Sequence, residues 1–195
     1  MTAEELVRSH LGASATLTRR TAEACADEIA AAAAMLIATF RRGGKVLLCG
    51  NGGSAADCQH MATEFVSRLR AHVERAPMPA IALTTDTSFL TAYANDAGFD
   101  GVFARQVQAL GRPGDALIAI STSGKSSNVL RAVEMGRALG LRTIALTGGR
   151  GFGVPADVVV AVPSDDTQHV QEAHLAIEHV VCELVERALF DGELR

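Results

Sequence analysis

With 195 residues, 48% of them apolar and 21% charged, the chain is long enough for one domain with a full core and has the make-up of an ordinary globular protein. A formal net charge of -4 argues against an electrostatically driven nucleic-acid binder, while leaving room for an anionic small molecule held by a local cluster of donors. The longest apolar run, Ile29 to Ala38, is too short to span a bilayer, and the acidic start Met1-Thr2-Ala3-Glu4-Glu5 is unlike a signal peptide, so a cytoplasmic protein without membrane association is expected.

Helices are predicted from about Ala3 to His10 and from about Ser14 to Arg42, the second rich in alanine and suited to close packing on another helix, in an oligomer included. Gly43-Gly44 ends it. From there short apolar runs alternate with helical stretches. Strands are predicted at Lys45–Cys49, Ala80–Leu83, Ala116–Ile120, Thr143–Leu146 and Val158–Val162. Helices are predicted near Ser54–Arg70, Ser88–Asn95, Gly101–Leu110, Asn128–Leu139 and Gln168–Leu189. Five continuously apolar strands separated by helices predict an α/β fold, a three-layer sandwich whose parallel sheet is covered on both faces, as a single domain over 1–195. Ligands of such sheets bind beyond the carboxyl ends of the strands, which directs attention to the loops after Cys49, Leu83 and Ile120. The cysteines Cys25, Cys49, Cys58 and Cys182 form no CxxC pair and no zinc-ribbon spacing; reduced, mostly buried thiols are expected.

The loop Ser121-Thr122-Ser123-Gly124-Lys125-Ser126-Ser127 follows a strand and precedes a helix, so its hydroxyls and the free N–H groups of that helix make a donor-rich cup for a phosphate. One such hydroxyl is explained by ordinary helix capping; five in seven residues are not. Two other motifs fail. Gly124-Lys125-Ser126 would end a nucleotide-binding P-loop, but Ala119 stands where that motif needs a glycine. Gly50-Asn51-Gly52-Gly53-Ser54-Ala55 fits a dinucleotide fingerprint, but the next strand has no acidic residue at its end, and the turn serves to bring backbone amides near a ligand.

His60 and Glu64, four apart, share one face of their helix and can hold a divalent metal or pass a proton. The last helix carries Gln171, Glu172, His174, Glu178 and His179; His174 and Glu178, with Glu183, fit an exposed stripe. His60, Glu64, Gln171 and His179 together suggest a mixed nitrogen–oxygen site compatible with zinc. Eight helical residues span about 12 Å, so Gln171 and His179 of one straight helix are far apart for one ion. Either the helix begins after Gln171 or bends, or the site is completed where subunits meet, the arrangement favoured here.

The chain resembles the phosphoheptose isomerases of the sugar-isomerase (SIS) superfamily. The resemblance runs through Cys49-Gly50-Asn51-Gly52-Gly53-Ser54-Ala55-Ala56-Asp57, Gln59-His60, Glu64, Leu83-Thr84-Thr85-Asp86-Thr87-Ser88, Leu90-Thr91-Ala92 and Asn95-Asp96. It continues in Val102-Phe103-Ala104-Arg105-Gln106-Val107, Ser121-Thr122-Ser123-Gly124, Gln171-Glu172, His174 and His179. It implies conversion of sedoheptulose 7-phosphate to a D-glycero-D-manno-heptose 7-phosphate by a homotetramer with a flavodoxin-like sheet and one zinc per subunit. It also implies substrate contacts from Asn51, Gly52, Gly53, Ser54, Glu64, Asn95, Asp96, Ser121, Thr122, Ser123, Ser126 and Gln171, metal ligation by His60, Glu64, Gln171 and His179, and catalysis by Glu64 and His179. Departures are modest: Lys125 stands where many members have Asn, His169 where many have Arg, and the segment from Gly148 to Asp157 is short.

Two rivals share the scaffold. One is a non-catalytic tetramer that binds the bacterial replication initiator; it lacks the acid and the histidine found here as Glu64 and His179. The other, a sugar-phosphate-sensing regulator, usually adds a DNA-binding domain for which this length leaves no room.

Overall fold

Strands β1 (Val46–Gly50) and β3 (Ala116–Ser121) are buried at every position, so both faces of the sheet that holds them are covered. The computed structural model describes residues 1–191; the last four residues of the domain expected over 1–195 lie outside the described residues. Strands β2 (Ala80–Ala82), β4 (Arg142–Thr147) and β5 (Val158–Ala161) complete a five-stranded, all-parallel sheet in the order β2-β1-β3-β4-β5. Val46 aligns with Ala80 on one side and Ala116 on the other, and Ile118 with Ile144. Alternation along each strand divides the apolar side chains between two cores: Val46, Leu48, Ala116, Ile118 and Ile120 enter one, Leu47, Cys49, Leu117 and Ala119 the other.

Helices α1 (Ala3–Arg41), α2 (Gly53–Val66) and α6 (Thr167–Phe190) cover the first face, through Leu36 of α1, Phe65 of α2 and Ile177 of α6 among others. Helices α3 (Thr87–Ala97), α4 (Val102–Leu110) and α5 (Ser127–Ala138) cover the second, with Phe103 and Val133 at its centre. The three-layer α/β sandwich and its flavodoxin-like strand order agree with the sequence.

The N-terminus departs from it. In place of two helices there is one unbroken helix of 39 residues, about 58 Å long at the standard rise. Gly12, the apparent break, costs about 1 kcal/mol in a helix interior, too little to interrupt good helix formers on both sides. The helix starts with a capping box between Thr2 and Glu5, and the Thr16 hydroxyl donates to the carbonyl of Gly12 at 2.9 Å across the expected gap. Its first buried residue is Leu17; Leu6, Val7 and Leu11 are more than half exposed. At the other end of the first layer, α2 stops at Val66, four residues earlier than expected. The chain turns there because Arg70 and Arg75 reach Glu186 of α6, each at 2.7 Å, and the Leu69 amide joins them.

Arg75 and Glu186 are 0% and 1% exposed, so removing one charge strands the other in the interior. Burial pushes the Glu186 carboxyl up, but the hydrogen bonds from Arg75 and Arg70 outweigh it and hold the group below the ordinary carboxylate value. Glu186→Gln is expected to cost about 3 kcal/mol of stability at pH 7, read from urea denaturation, because Arg75 loses its counter-charge. The difference from the natural chain should shrink as pH falls through the Glu186 titration, where both chains lack the charge.

Candidate active site

The strand order reverses at β1 and β3, whose following loops therefore lie side by side at the carboxyl edge of the sheet. Asn51, in the glycine turn after β1, and Asn128, in the first turn of α5, exchange two amide hydrogen bonds of 2.8 Å. This pair, with Asn128 only 3% exposed, locks the turn to the hydroxyl-rich loop. Neither Asn128 nor its role was legible as a single letter; only the meeting of the two loops exposes it.

The hydroxyl loop has the form of a cup. Ser126 occupies the N-cap position of α5, yet its side chain makes no capping bond. Its hydroxyl lies 3.1 Å from that of Ser121, and the hydroxyls of Ser121 and Ser123 are 3.5 Å apart. Ordinary capping therefore does not account for Ser126, and the free N–H groups of α5 stay available to an anion. Gly124 has φ of +64°, and a Cβ there would collide with the carbonyl of Gly151, so the loop closes only with glycine. Ser127 instead donates to Asp100 at 2.5 Å, and Lys125 is exposed.

Beyond the glycine turn, α2 and α6 run side by side in the same direction. His60 and His179 bring their Nε2 atoms to 2.8 Å, and Glu64 Oε1 lies 3.6 Å from the His60 Nε2. Donor atoms of these three residues all lie within 4.8 Å of one another. Ligands held tetrahedrally at about 2.1 Å around zinc sit about 3.4 Å apart, so this set has the donor types and approximate spacing of an N₂O zinc site, with the two imidazoles needing to part by roughly 0.6 Å. It forms within one chain. Three of the four expected ligands therefore meet without a second subunit.

Gln171 does not join it. Helix α6 is continuous from Thr167, which removes the option of a start after Gln171. The Gln171 amide donates to Asp57 at 3.4 Å and fills the space beside Gly53, where any Cβ would overlap it. Gln171 thus belongs with the glycine turn and Ser54. Asn95 and Asp96 stand exposed on α3, with the Asn95 amide donating to Asp96 at 2.9 Å. A wide groove of about 460 Å³ between α2 and the edge strand β2, lined by Gln59, Thr63 and Ile81 among others, contains none of the expected site residues.

The expected exposed stripe on α6 is inverted. His174 and Glu178 are 0% and 1% exposed, on the same spacing as Val170, Ala173, Ile177 and Val181; only Glu183, paired with Arg187 at 2.6 Å, is partly open. Helix periodicity, not charge, decides the face, and α1, α2 and the sheet cover this side of α6. The His174 Nε2 meets the carbonyl of Thr147 at 3.2 Å; burial, partly offset by that bond, pushes its pKa down to about 4. Among the described residues the Glu178 carboxyl oxygens have no hydrogen-bond partner, and burial, then the charge of Asp57, pushes the group up to about 9. Asp57, which sequence reading did not single out as a site residue, is itself raised by burial against the bond from Gln171. All four thiols are buried as expected, and burial raises Cys182 well above its ordinary value, which makes it inert.

The sheet order, the hydroxyl cup and the glycine turn define a SIS domain, and the sequence profile of that name matches residues 10–148. Phosphoheptose isomerases from Roseiflexus sp. and Chlorobaculum parvum are 54% and 55% identical, over 95% and 94% of this chain and 94% and 89% of theirs. The structure of phosphoheptose isomerase GmhA from Neisseria gonorrhoeae superposes with a TM-score of 0.89 at 40% identity, covering 96% of this chain and 100% of that one. The chain belongs to the phosphoheptose isomerase family.

The buried acid has a measurable consequence. Between its ordinary value of 4.5 and about 9 the folded chain keeps the Glu178 proton and the unfolded chain releases it, so this group lowers stability as pH rises through that window. His174 acts oppositely between about 4 and 6.5, where only the unfolded chain takes up a proton. The two offset each other below 6.5. In the metal-free protein, Glu178→Gln should match the natural chain at pH 4.5 and become the more stable of the two at pH 8.5, measured by urea denaturation.

Proposed function

We propose that the chain is an aldose–ketose isomerase that converts sedoheptulose 7-phosphate to D-glycero-D-manno-heptose 7-phosphate, the first step toward nucleotide-activated heptose. The observation that carries this reading is the convergence of Glu64 and His179 on one cluster, on a scaffold that also holds a Ser/Thr cup. The names of its relatives support the same assignment, and the presence of Glu64 and His179 tells against a non-catalytic scaffold.

In this reading Ser121, Thr122, Ser123 and Ser126, with the N–H groups of α5, hold the substrate phosphate. Asn51, Gly52, Gly53, Ser54 and Gln171 line the sugar, and Asn95 and Asp96 approach it from α3. Glu64 removes the proton from C1 of the ketose; the electron pair forms the C1–C2 double bond of an enediolate, and the same carboxyl returns the proton to C2. His179 moves the remaining proton from O1 to O2, which leaves the aldose. His60, Glu64 and His179 would hold zinc, one per subunit, and bound zinc supplies polarisation of the sugar oxygens. Glu64 has a second oxygen, which leaves one free to act on carbon.

The chain is read as a homotetramer, in the cytoplasm, with active sites at subunit interfaces. Leu6, Val7 and Leu11 on α1 and Val180 beside His179 are exposed apolar side chains, and α3 buries no residue within the chain; covering them in an assembly removes that exposure. The buried, unpaired thiols suit a reducing compartment, and no helix among the described residues is long and apolar enough to cross a membrane. Gln171, about 12 Å along α6 from His179, joins a metal only from a second copy.

Sedoheptulose 7-phosphate incubated with the zinc-loaded protein should yield aldose by NMR, and Glu64→Gln should reduce turnover by at least about 1000-fold with the fold kept. No turnover by the natural chain, or an active Glu64→Gln variant, would refute the assignment. Mixing inactive Gln171→Ala and Glu64→Gln chains after partial denaturation should restore part of the activity if sites are shared between subunits; mixtures as inactive as their components would show that each chain works alone.

A further inference from the structure

A second group of metal-ligating side chains lies outside the site already described. His10, from the early turns of α1, meets His169 and Glu172 in the first turns of α6. The His10 Nε2 is 2.8 Å from Glu172 Oε1, and the His169 Nδ1 is 3.1 Å from Glu172 Oε2. The two imidazole rings lie 4.3 Å apart, and donor atoms of all three residues fall within 4.8 Å of one another.

We propose that His10, His169 and Glu172 form a separate binding site for a divalent late transition-metal ion such as zinc, which fastens the N-terminal turns of α1 to the start of α6. Three observations carry it. The donor set is two imidazole nitrogens and one carboxylate, the combination that zinc takes in open three-residue sites and that calcium and magnesium, which prefer oxygen alone, do not. The site is also open on one side. Glu172 and His10 line a cavity of about 310 Å³ together with Asp57, Gln168 and Gln171, which leaves room for the water or further ligand that completes four-coordination.

The third observation is the mechanical need for a clamp. Residues 3–16 of α1 contain no buried side chain, since the first one to enter the core is Leu17. A helical stretch of that length is marginal in water on its own. His10 ties it to α6 through Glu172, five residues along α6 from the helix start. An ion on three side chains from two helices converts this surface contact into a cross-link. The new site is distinct from the His60 cluster: Glu172 and His179 are seven residues apart on α6, about 10 Å along its axis, well beyond the spacing of a shared two-metal centre. The inference therefore stands apart from the isomerase reading.

The test uses zinc alone as the probe. The full chain, stripped with a chelator and dialysed against buffered zinc, is compared with His10→Ala and His169→Ala for bound zinc by elemental analysis. The natural chain should exceed each variant by one equivalent per chain, whether or not the His60 cluster is loaded. A His60→Ala/His179→Ala chain should still hold one equivalent, and adding His10→Ala should remove it. Zinc should also slow amide exchange across residues 3–16 at least tenfold in the natural chain and in the His60→Ala/His179→Ala chain, and not in His10→Ala. Equal zinc content in the natural chain and the His10→Ala and His169→Ala variants, or unchanged exchange over residues 3–16 when zinc is added, would overturn the proposal.

Discussion

The parallel packing of α2 against α6 is the arrangement on which the rest of the site depends. Its contacts follow the same order along both helices: Asp57 with Gln171, His60 with His179, and Arg70, just past the end of α2, with Glu186. Because the two helices start at the same edge of the sheet, their first turns bring the glycine loop and Gln171 together. One to two turns further on, the His60–Glu64 face meets His179. The buried Arg75–Glu186 pair closes the far end. A rotation of α6 by one residue would turn His179 away and leave the acid of the pair without its arginines.

The sheet supplies the other half. Strands buried on both faces leave no room for polar chemistry within the layers, so polar groups collect at the strand ends. The reversal of order at β1 and β3 then places two helix N-termini next to each other, one behind the glycine turn and one behind the hydroxyl loop. The reciprocal Asn51–Asn128 pair joins them. The anion cup and the proton-moving cluster are therefore set by different features, the first by topology and the second by helix packing.

The interior of α6 shows what that packing costs. His174, Glu178 and Glu186 occupy core positions, and each is accommodated differently: His174 as a neutral ring on a backbone carbonyl, Glu178 as a neutral acid, Glu186 as a charge between two arginines. The sequence suggests an exposed stripe for two of the three, His174 and Glu178. The 3.6-residue period, which sets them among Val170, Ala173, Ile177 and Val181, was the better guide. The expected gap between His10 and Ser14 in α1 is likewise absent, because the one glycine within it, Gly12, carries a penalty too small to end a helix of this length.

The sequence by itself determined the α/β class, the parallel sheet, the phosphate-suited loop and the kinship of the chain, because these rest on short-range period, turn chemistry and ordered blocks of residues. It could also list His60, Glu64, Gln171 and His179 as candidates. Only the tertiary structure decided that His60, Glu64 and His179 meet within one chain while Gln171 faces the glycine turn, that Asn128 pairs with Asn51, and that Asp57 meets Gln171. It alone brought His10 to a partner 162 residues away. Which side chains converge is fixed by the phase of one helix against another, and that phase depends on how cores from distant parts of the chain fill the space between them.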